Sequence, residues 1–214
     1  MHNWGELRSY KDIPPTGPLT DSAARQLIHG YYACVSYTDA QIGKVLKALK
    51  DLELDENTIV ILWGDHGWNL REHGLWCKHC NFNTSLHAPI IIKAPGIEGG
   101  KATDGLTEFV DIYPSLCELC ELEKPQHLEG RSFVPLLQNP QQEWKDYAVC
   151  KWFDGATYIK GNNFYTEWSD TTSHIYARML YDHATDPGEN VNISEDESNK
   201  KLVEELSVEL HERW

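Results

Sequence analysis

No stretch of this chain approaches the roughly 18 consecutive apolar residues that a membrane-crossing helix needs. The first dozen residues, Met1 to Asp12, carry no apolar core of the kind a secretory leader uses. Basic residues are scarce: 19 Lys and Arg stand against 33 Asp and Glu, for a net charge of −14. That balance argues against nucleic acid and against anionic membrane surfaces as partners, because both demand a positive face. Hydrophobic residues make up an ordinary 41%, and 214 residues suffice to bury a real core. The six cysteines include two C-x-x-C pairs, Cys77/Cys80 and Cys117/Cys120, which raises the question of a zinc ribbon. The 36 residues between the pairs exceed the usual ribbon spacing, and Cys117 and Cys120 fall in an apolar helical pattern that suits core thiols.

What is present centres on Thr58 to Ser85, TIVILWGDHGWNLREHGLWCKHCNFNTS. Ile59 to Trp63 is apolar and β-rich without alternation, which predicts a strand buried on both faces of a parallel sheet. The run stops at Gly64-Asp65-His66-Gly67, and polar groups just past the carboxyl end of a strand are where α/β sheets collect ligand chemistry. An Asp in this place equally serves to cap a following helix. Glu72, His73, Trp76, Lys78 and His79 follow in one Gly-punctuated, aromatic-rich loop. On residue type alone, Lys78 is an ordinary surface lysine, Trp68 and His79 fit a sugar pocket and plain packing equally, and His73 and His87 are satisfied structural histidines.

Around this stretch the elements are legible. Residues 1 to 20 read as a loop turned by Pro14-Pro15 and Gly17-Pro18. Thr20-Asp21-Ser22 offers an N-cap for a helix over Ala23 to Leu52, with Val35, Ile42, Val45, Leu46, Leu49 and Leu52 on one face. Ala88 to Lys93 reads as a second buried strand, and Phe109 to Cys120 as a helix with Pro114 near its start. From about Asn139, short β-rich runs at 147–153, 156–160, 164–168 and 177–181 alternate with turns, predicting an antiparallel meander before a helix over Glu197 to Glu212.

Several phrases together resemble the sulfatase family: Asp65-His66-Gly67, Arg71-Glu72-His73-Gly74, Trp76-Cys77-Lys78 and His87-Ala88-Pro89-Ile90-Ile91-Ile92. Arg71 departs from the pattern, which usually has Gly there. Val110-Asp111, Pro114-Ser115-Leu116, Leu128 to Leu137, and Leu180-Tyr181-Asp182 with Asp186-Pro187, Glu189 and Asn192 extend the likeness over essentially the whole chain. WGELRSYKDIP and YYACVSYTDAQIGKVLKALKDL are most similar to the iduronate-2-sulfatase branch.

The resemblance implies an α/β fold: the C-terminal part of an alkaline-phosphatase-like sulfatase sheet flanked by helices (1–138), then a small antiparallel α+β subdomain (139–214). It implies hydrolysis of a sulfate ester, on 2-O-sulfated uronic acids of glycosaminoglycans or similar polysaccharides. It puts Asp65 and His66 at a Ca2+ or other divalent metal, Lys78 as a catalytic group on a sulfate oxygen, and Trp68, Lys78 and His79 around the sugar. With a net charge of −14, such a site must be made locally positive by the metal and these few basic groups. The family's nucleophile is a formylglycine formed in a Cys/Ser-x-Pro-x-Arg motif, and none of the ten prolines here has Cys or Ser two places before it. The chain is therefore expected to resemble a C-terminal half, with the nucleophile and an Asp pair in an absent N-terminal half, and to be inactive alone. A periplasmic, secreted or lysosomal setting is implied by the family. Two other functions fit the same residues: a phosphate or phosphonate ester hydrolase of that superfamily, and a non-catalytic metal- or glycan-binding module.

Overall fold

A computed structural model describes residues 5–213; the first four residues of the N-terminal stretch read above lie outside them. The chain divides into two compact units, Met1–Pro95 and Gly96–Trp214. No helix among the described residues is long and apolar enough to cross a membrane.

The first unit opens with a short helix, α1 (Gly5–Ser9), inside the segment expected to be only loop. Leu7 explains it: the side chain is 2% exposed and packs with Ala24, Trp76 and Cys77. The long helix α2 (Asp21–Asp51) starts where the cap predicts, with the Thr20 hydroxyl accepting from the Ala23 N–H. Strand β1 (Val60–Trp63) pairs with β4 (Ile90–Lys93), Trp63 lying opposite Ile90. Between them come the two-residue strands β2 (Asn69–Leu70) and β3 (Trp76–Cys77), which pair with each other, and the one-turn helix α3 (Asn83–Leu86).

Here the structure corrects the expectation for β1. It pairs antiparallel, and no residue of the strand is fully buried; Leu62 and Trp63 are 38% and 48% exposed. An apolar run without alternation reports that a strand is suited to two-sided burial, but the covering layers must come from elsewhere in the fold. Among the described residues of this unit, none covers Trp63 or Ile91 fully. The α2 face is in the same condition, with Val35, Val45, Leu46 and Leu52 exposed and only Ala24 buried.

In the second unit, α4 (Ile112–Leu119) follows a 3-10 turn at Phe109–Asp111, and α5 (Val134–Gln138) follows the Gly130 loop. Gly130 has to be glycine, because a Cβ there would overlap the Val110 carbonyl. That close approach lets the Arg131 N–H donate to Asp111 Oδ1 at 2.8 Å and the Phe133 N–H to Ser115 Oγ at 2.9 Å. The two phrases read from sequence as structural thus fasten to each other. Strands β5 (Tyr147–Trp152), β6 (Gly155–Lys160), β7 (Asn163–Ser169) and β8 (Ile175–Asp182) form the expected antiparallel meander in sequence order. Helix α6 (Lys200–Arg213) lays Val203, Leu206 and Leu210 on Tyr158, Tyr165 and Leu180, spacing that puts one helical stripe on the sheet. Residues 96–138, grouped by sequence texture with the chain's first part, here share a compact unit with this sheet.

Candidate active site

The β1–β4 hairpin-like pair is opened by 26 intervening residues, Gly64 to Pro89, and these carry the candidate site. Its frame is a set of close backbone contacts. The Gly64 N–H donates to Pro89 O at 3.0 Å and the Gly67 N–H to Ser85 O at 2.8 Å. A Cβ on Gly67 would overlap the Thr84 and His87 carbonyls, so the glycine of Asp-His-Gly is there to let α3 close onto the loop. Fully buried Asn69 ties the remainder together. Its amide donates to Cys77 O at 2.8 Å and Ser85 Oγ at 2.7 Å, and its carbonyl accepts from Thr84 Oγ1 at 2.6 Å. Cys77 and Cys80 are free thiols, Cys77 packed in the core and Cys80 Sγ 3.1 Å from Ser85 Oγ in this network. Burial, with the Glu6 charge adding to it, pushes the Cys77 thiol up to about 11.

Asp65 projects outward, its side chain 86% exposed, with His66 Nε2 3.4 Å from Oδ2. His66 Nδ1 lies 2.8 Å from Gly67 O. A carbonyl oxygen only accepts, so Nδ1 carries a proton toward Gly67 O, and Nε2 is the ring nitrogen turned toward the Asp65 carboxylate. A carboxylate oxygen suits a hard divalent cation, and an imidazole nitrogen is a ligand for softer ones, so the pair can form part of a cation shell. They are only part of one: among the described residues no group of three or more His, Cys, Asp and Glu could hold a metal ion.

Trp68 links this pair to the basic group. Its ring stacks on His66 at 5.9 Å and on Tyr31 of α2 at 6.0 Å, and the Lys78 ammonium sits 5.3 Å from its centroid. Lys78 also pairs with Glu6 of α1 at 2.7 Å, and His79 Nδ1 lies 3.5 Å from the other Glu6 oxygen. Partial burial pushes the Glu6 carboxyl up, but the Lys78 hydrogen bond and charge, helped by His79 and Tyr10, outweigh it and hold it below its ordinary value. The residues singled out from sequence, 65, 66, 68, 78 and 79, therefore gather along one aromatic ridge. Glu6 and Tyr31 were not singled out; their only sequence signal is the likeness of WGELR and YYACVSYTD to one family branch. His73 stacks on Phe82 at 3.9 Å, the structural role expected of it.

The matches to known proteins agree with these motifs. The sulfatase family model matches residues 6–122, and that of the N-sulphoglucosamine sulphohydrolase C-terminal region matches residues 71–214. The chain belongs to the sulfatase family. It is 32% identical over 212 residues to a sulfatase of Formosa agariphila, covering 92% of this chain and 41% of that protein. It is 32% identical to human iduronate 2-sulfatase, covering 61% of this chain and 29% of that protein. Among solved structures, a 2-O GAG sulfatase superposes with TM-score 0.81 at 27% identity, over 90% of this chain and 44% of that one. A protein in complex with its substrate D-glucosamine-2-N,6-O-disulfate gives TM-score 0.80 at 26% identity, over 88% and 40%. A phosphonate monoester hydrolase from Silicibacter pomeroyi gives 0.85 at 23% identity, over 95% and 43%, a likeness of fold. The fold of this sulfatase-family chain is the C-terminal part of an α/β sulfatase sheet flanked by helices, with a small antiparallel α+β subdomain. The chain spans about two-fifths or less of the length of these curated relatives.

Arg71, the departure from the family pattern, has a physical signature. It holds φ at 99°, in the left-handed region that a glycine enters freely, and its guanidinium reaches Asp21 at 2.7 Å. Both partners are more than half exposed, so the ion pair contributes little. Relief of backbone strain in Arg71→Gly offsets the lost pair and the freer unfolded chain. The net change in unfolding free energy is expected to stay within about 1 kcal/mol. A loss of several kcal/mol in denaturant titration would show that the Arg71–Asp21 contact holds the loop.

Proposed function

We propose that this chain is the C-terminal part of a sulfatase that hydrolyses 2-O-sulfate esters of uronic acids in glycosaminoglycans or similar polysaccharides. Residues 1–138 complete its catalytic domain and 139–214 form its C-terminal subdomain. The observation that carries the assignment is the Trp68 ridge, with Asp65 and His66 at one end and the Lys78 ammonium at the other. Two matches, to human iduronate 2-sulfatase and to a 2-O GAG sulfatase, support the 2-O-sulfated uronate as substrate class.

In this assignment Asp65 and His66 Nε2 hold a calcium ion, with further ligands and the formylglycine nucleophile coming from an N-terminal part. The ion, when bound, polarises the sulfate oxygens. Lys78, a compact cation on a flexible stem, holds a sulfate oxygen and meets the charge that develops as the ester breaks. Trp68 and His79 border the sugar, and the Trp68 ring lies 5.3 Å from the Lys78 ammonium. The apolar residues left exposed on α2, β1 and β4 are the surfaces the N-terminal part would cover.

The test is direct. This chain alone is expected to show no turnover of a 2-O-sulfated uronate, since it offers no residue for the covalent step. Joined to the N-terminal part, it is expected to hydrolyse that ester in preference to a 6-O-sulfated glucosamine and to a phosphonate monoester. Turnover by the chain alone that Asp65→Ala abolishes would defeat the proposal, as would preference for the phosphonate in the joined enzyme.

A further inference from the structure

We infer that Glu6 is a positioning residue that fixes the Lys78 ammonium, and with it His79, for the sulfate group; the inference rests on the active-site assignment above. A carboxylate beside a cation meant for an anionic substrate is at first sight a disadvantage, because it cancels charge. The geometry gives it a purpose. Lysine carries its charge on four rotatable methylenes, and a site that stabilises developing charge must hold its donors in place beforehand. The Lys78 stem has the Trp68 face near its ammonium, 5.3 Å from Nζ to ring centroid, and a second fixed point in Glu6 Oε1 at 2.7 Å. Glu6 Oε2, buried and without a hydrogen bond among the described residues, lies 3.5 Å from His79 Nδ1, so one carboxylate addresses two neighbouring side chains assigned to the substrate.

Glu6 itself is held from both sides. Leu7, the next residue, is 2% exposed and packs on Trp76 and Cys77, the strand that runs directly into Lys78. The Tyr10 hydroxyl, one turn on in the chain, donates to Glu6 Oε1 at 3.4 Å. Helix α1 is thus anchored to β3 by an apolar contact and presents its acid to the residue following β3. A partner 72 positions away in sequence is brought to hydrogen-bond distance by that anchor.

The experiment is a double-mutant cycle in the joined enzyme, Glu6→Gln and Lys78→Ala, read as kcat and KM on a 2-O-sulfated uronate. Glu6→Gln is expected to lower kcat on the order of tenfold with KM little changed, the signature of misplacing a transition-state contact. In the Lys78→Ala background the same change is expected to cost nothing further. Equal losses in both backgrounds, or no loss in either with Lys78→Ala itself disabled, would overturn the positioning role alone. Full activity of Lys78→Ala would instead overturn the active-site assignment. A second measurement uses the chain as it stands: reductive methylation of Lys78, mapped by mass spectrometry. Release from the ion pair in Glu6→Gln is expected to speed labelling of Lys78 several-fold while Lys47 labels as before. Unchanged Lys78 labelling would count against the inference.

Discussion

Lys78→Ala in the joined enzyme is expected to lower turnover by about a hundredfold or more and to leave its bound metal in place. Asp65→Asn is expected to lower both, because a hard cation selects the carboxylate's charge and an amide oxygen supplies only a weak dipole. The two responses separate because the groups stand apart on the Trp68 ridge. Asp65 is open to solvent beside His66, whereas Lys78 is half-buried between the Trp68 ring and Glu6. Metal content by atomic emission and steady-state turnover, measured on the same preparations, give the answer. A fully active Lys78→Ala, or an Asp65→Asn that keeps both calcium and rate, would remove these loops from the active site. Arg71→Gly serves as the control in the same loop, since its side chain faces Asp21 rather than the ridge.

The candidate loop stood out in the sequence because its motifs are local. Asp-His-Gly after an apolar run, and Trp-x-Lys eleven residues beyond, need no knowledge of the rest of the chain. The same holds for the Thr20 cap, the meander from Tyr147 to Asp182, and the helical stripe of Val203, Leu206 and Leu210. The direction and exposure of β1 were not legible. Hydrophobicity says that Leu62 and Trp63 suit a buried place, but pairing direction and covering layers are set by distant segments. Glu6 was missed for the same reason. Read alone, Gly5-Glu6-Leu7-Arg8-Ser9 is a polar segment before a Pro-rich turn, and only the burial of Leu7 against Cys77 reveals that its acid meets Lys78. Asn69 shows the limit in another way: a single amide in a loop reads as a turn residue, yet it is fully buried and holds β2, β3 and α3 together.

The largest loss of stability is expected at Asp111, in the second unit, a residue with no part in the candidate chemistry. Asp111 is fully buried and every side of its carboxylate is used. Oδ1 accepts from the Arg131 N–H at 2.8 Å, and Oδ2 accepts from the Glu108 N–H at 2.8 Å and from Lys145 Nζ at 2.7 Å. Lys145 also donates to Glu108 Oε2 at 2.6 Å, while Glu108 Oε1 takes the Val149 N–H at 2.8 Å. One cluster therefore joins the start of α4, the Gly130 loop and strand β5. Removing one member leaves a lysine, its side chain only 9% exposed, short of a counter-charge, and leaves two backbone N–H groups without acceptors. Breaking a buried pair in this way costs about 3–5 kcal/mol. For a chain of this size that corresponds to a fall of about 6–20 °C in thermal midpoint. Lys47→Ala, which breaks an ion pair whose partners are 73% and 57% exposed, is expected to cost about 0.5 kcal/mol or less. The pH dependence has a fixed sign. Burial pulls the Lys145 ammonium down, but its hydrogen bonds to Asp111 and Glu108 outweigh that and raise it above the ordinary lysine value. Its contribution is then fully present below the unfolded-state value, near 10.4, and is lost only as pH rises through the raised folded value. Asp111→Asn keeps the shape and gives up the charge, so it is expected to fall between wild type and Asp111→Ala at neutral pH. If Asp111→Ala melts no lower than Lys47→Ala, the cluster does not hold these elements together, and the Asp111, Gly130 and Lys145 positions need another explanation.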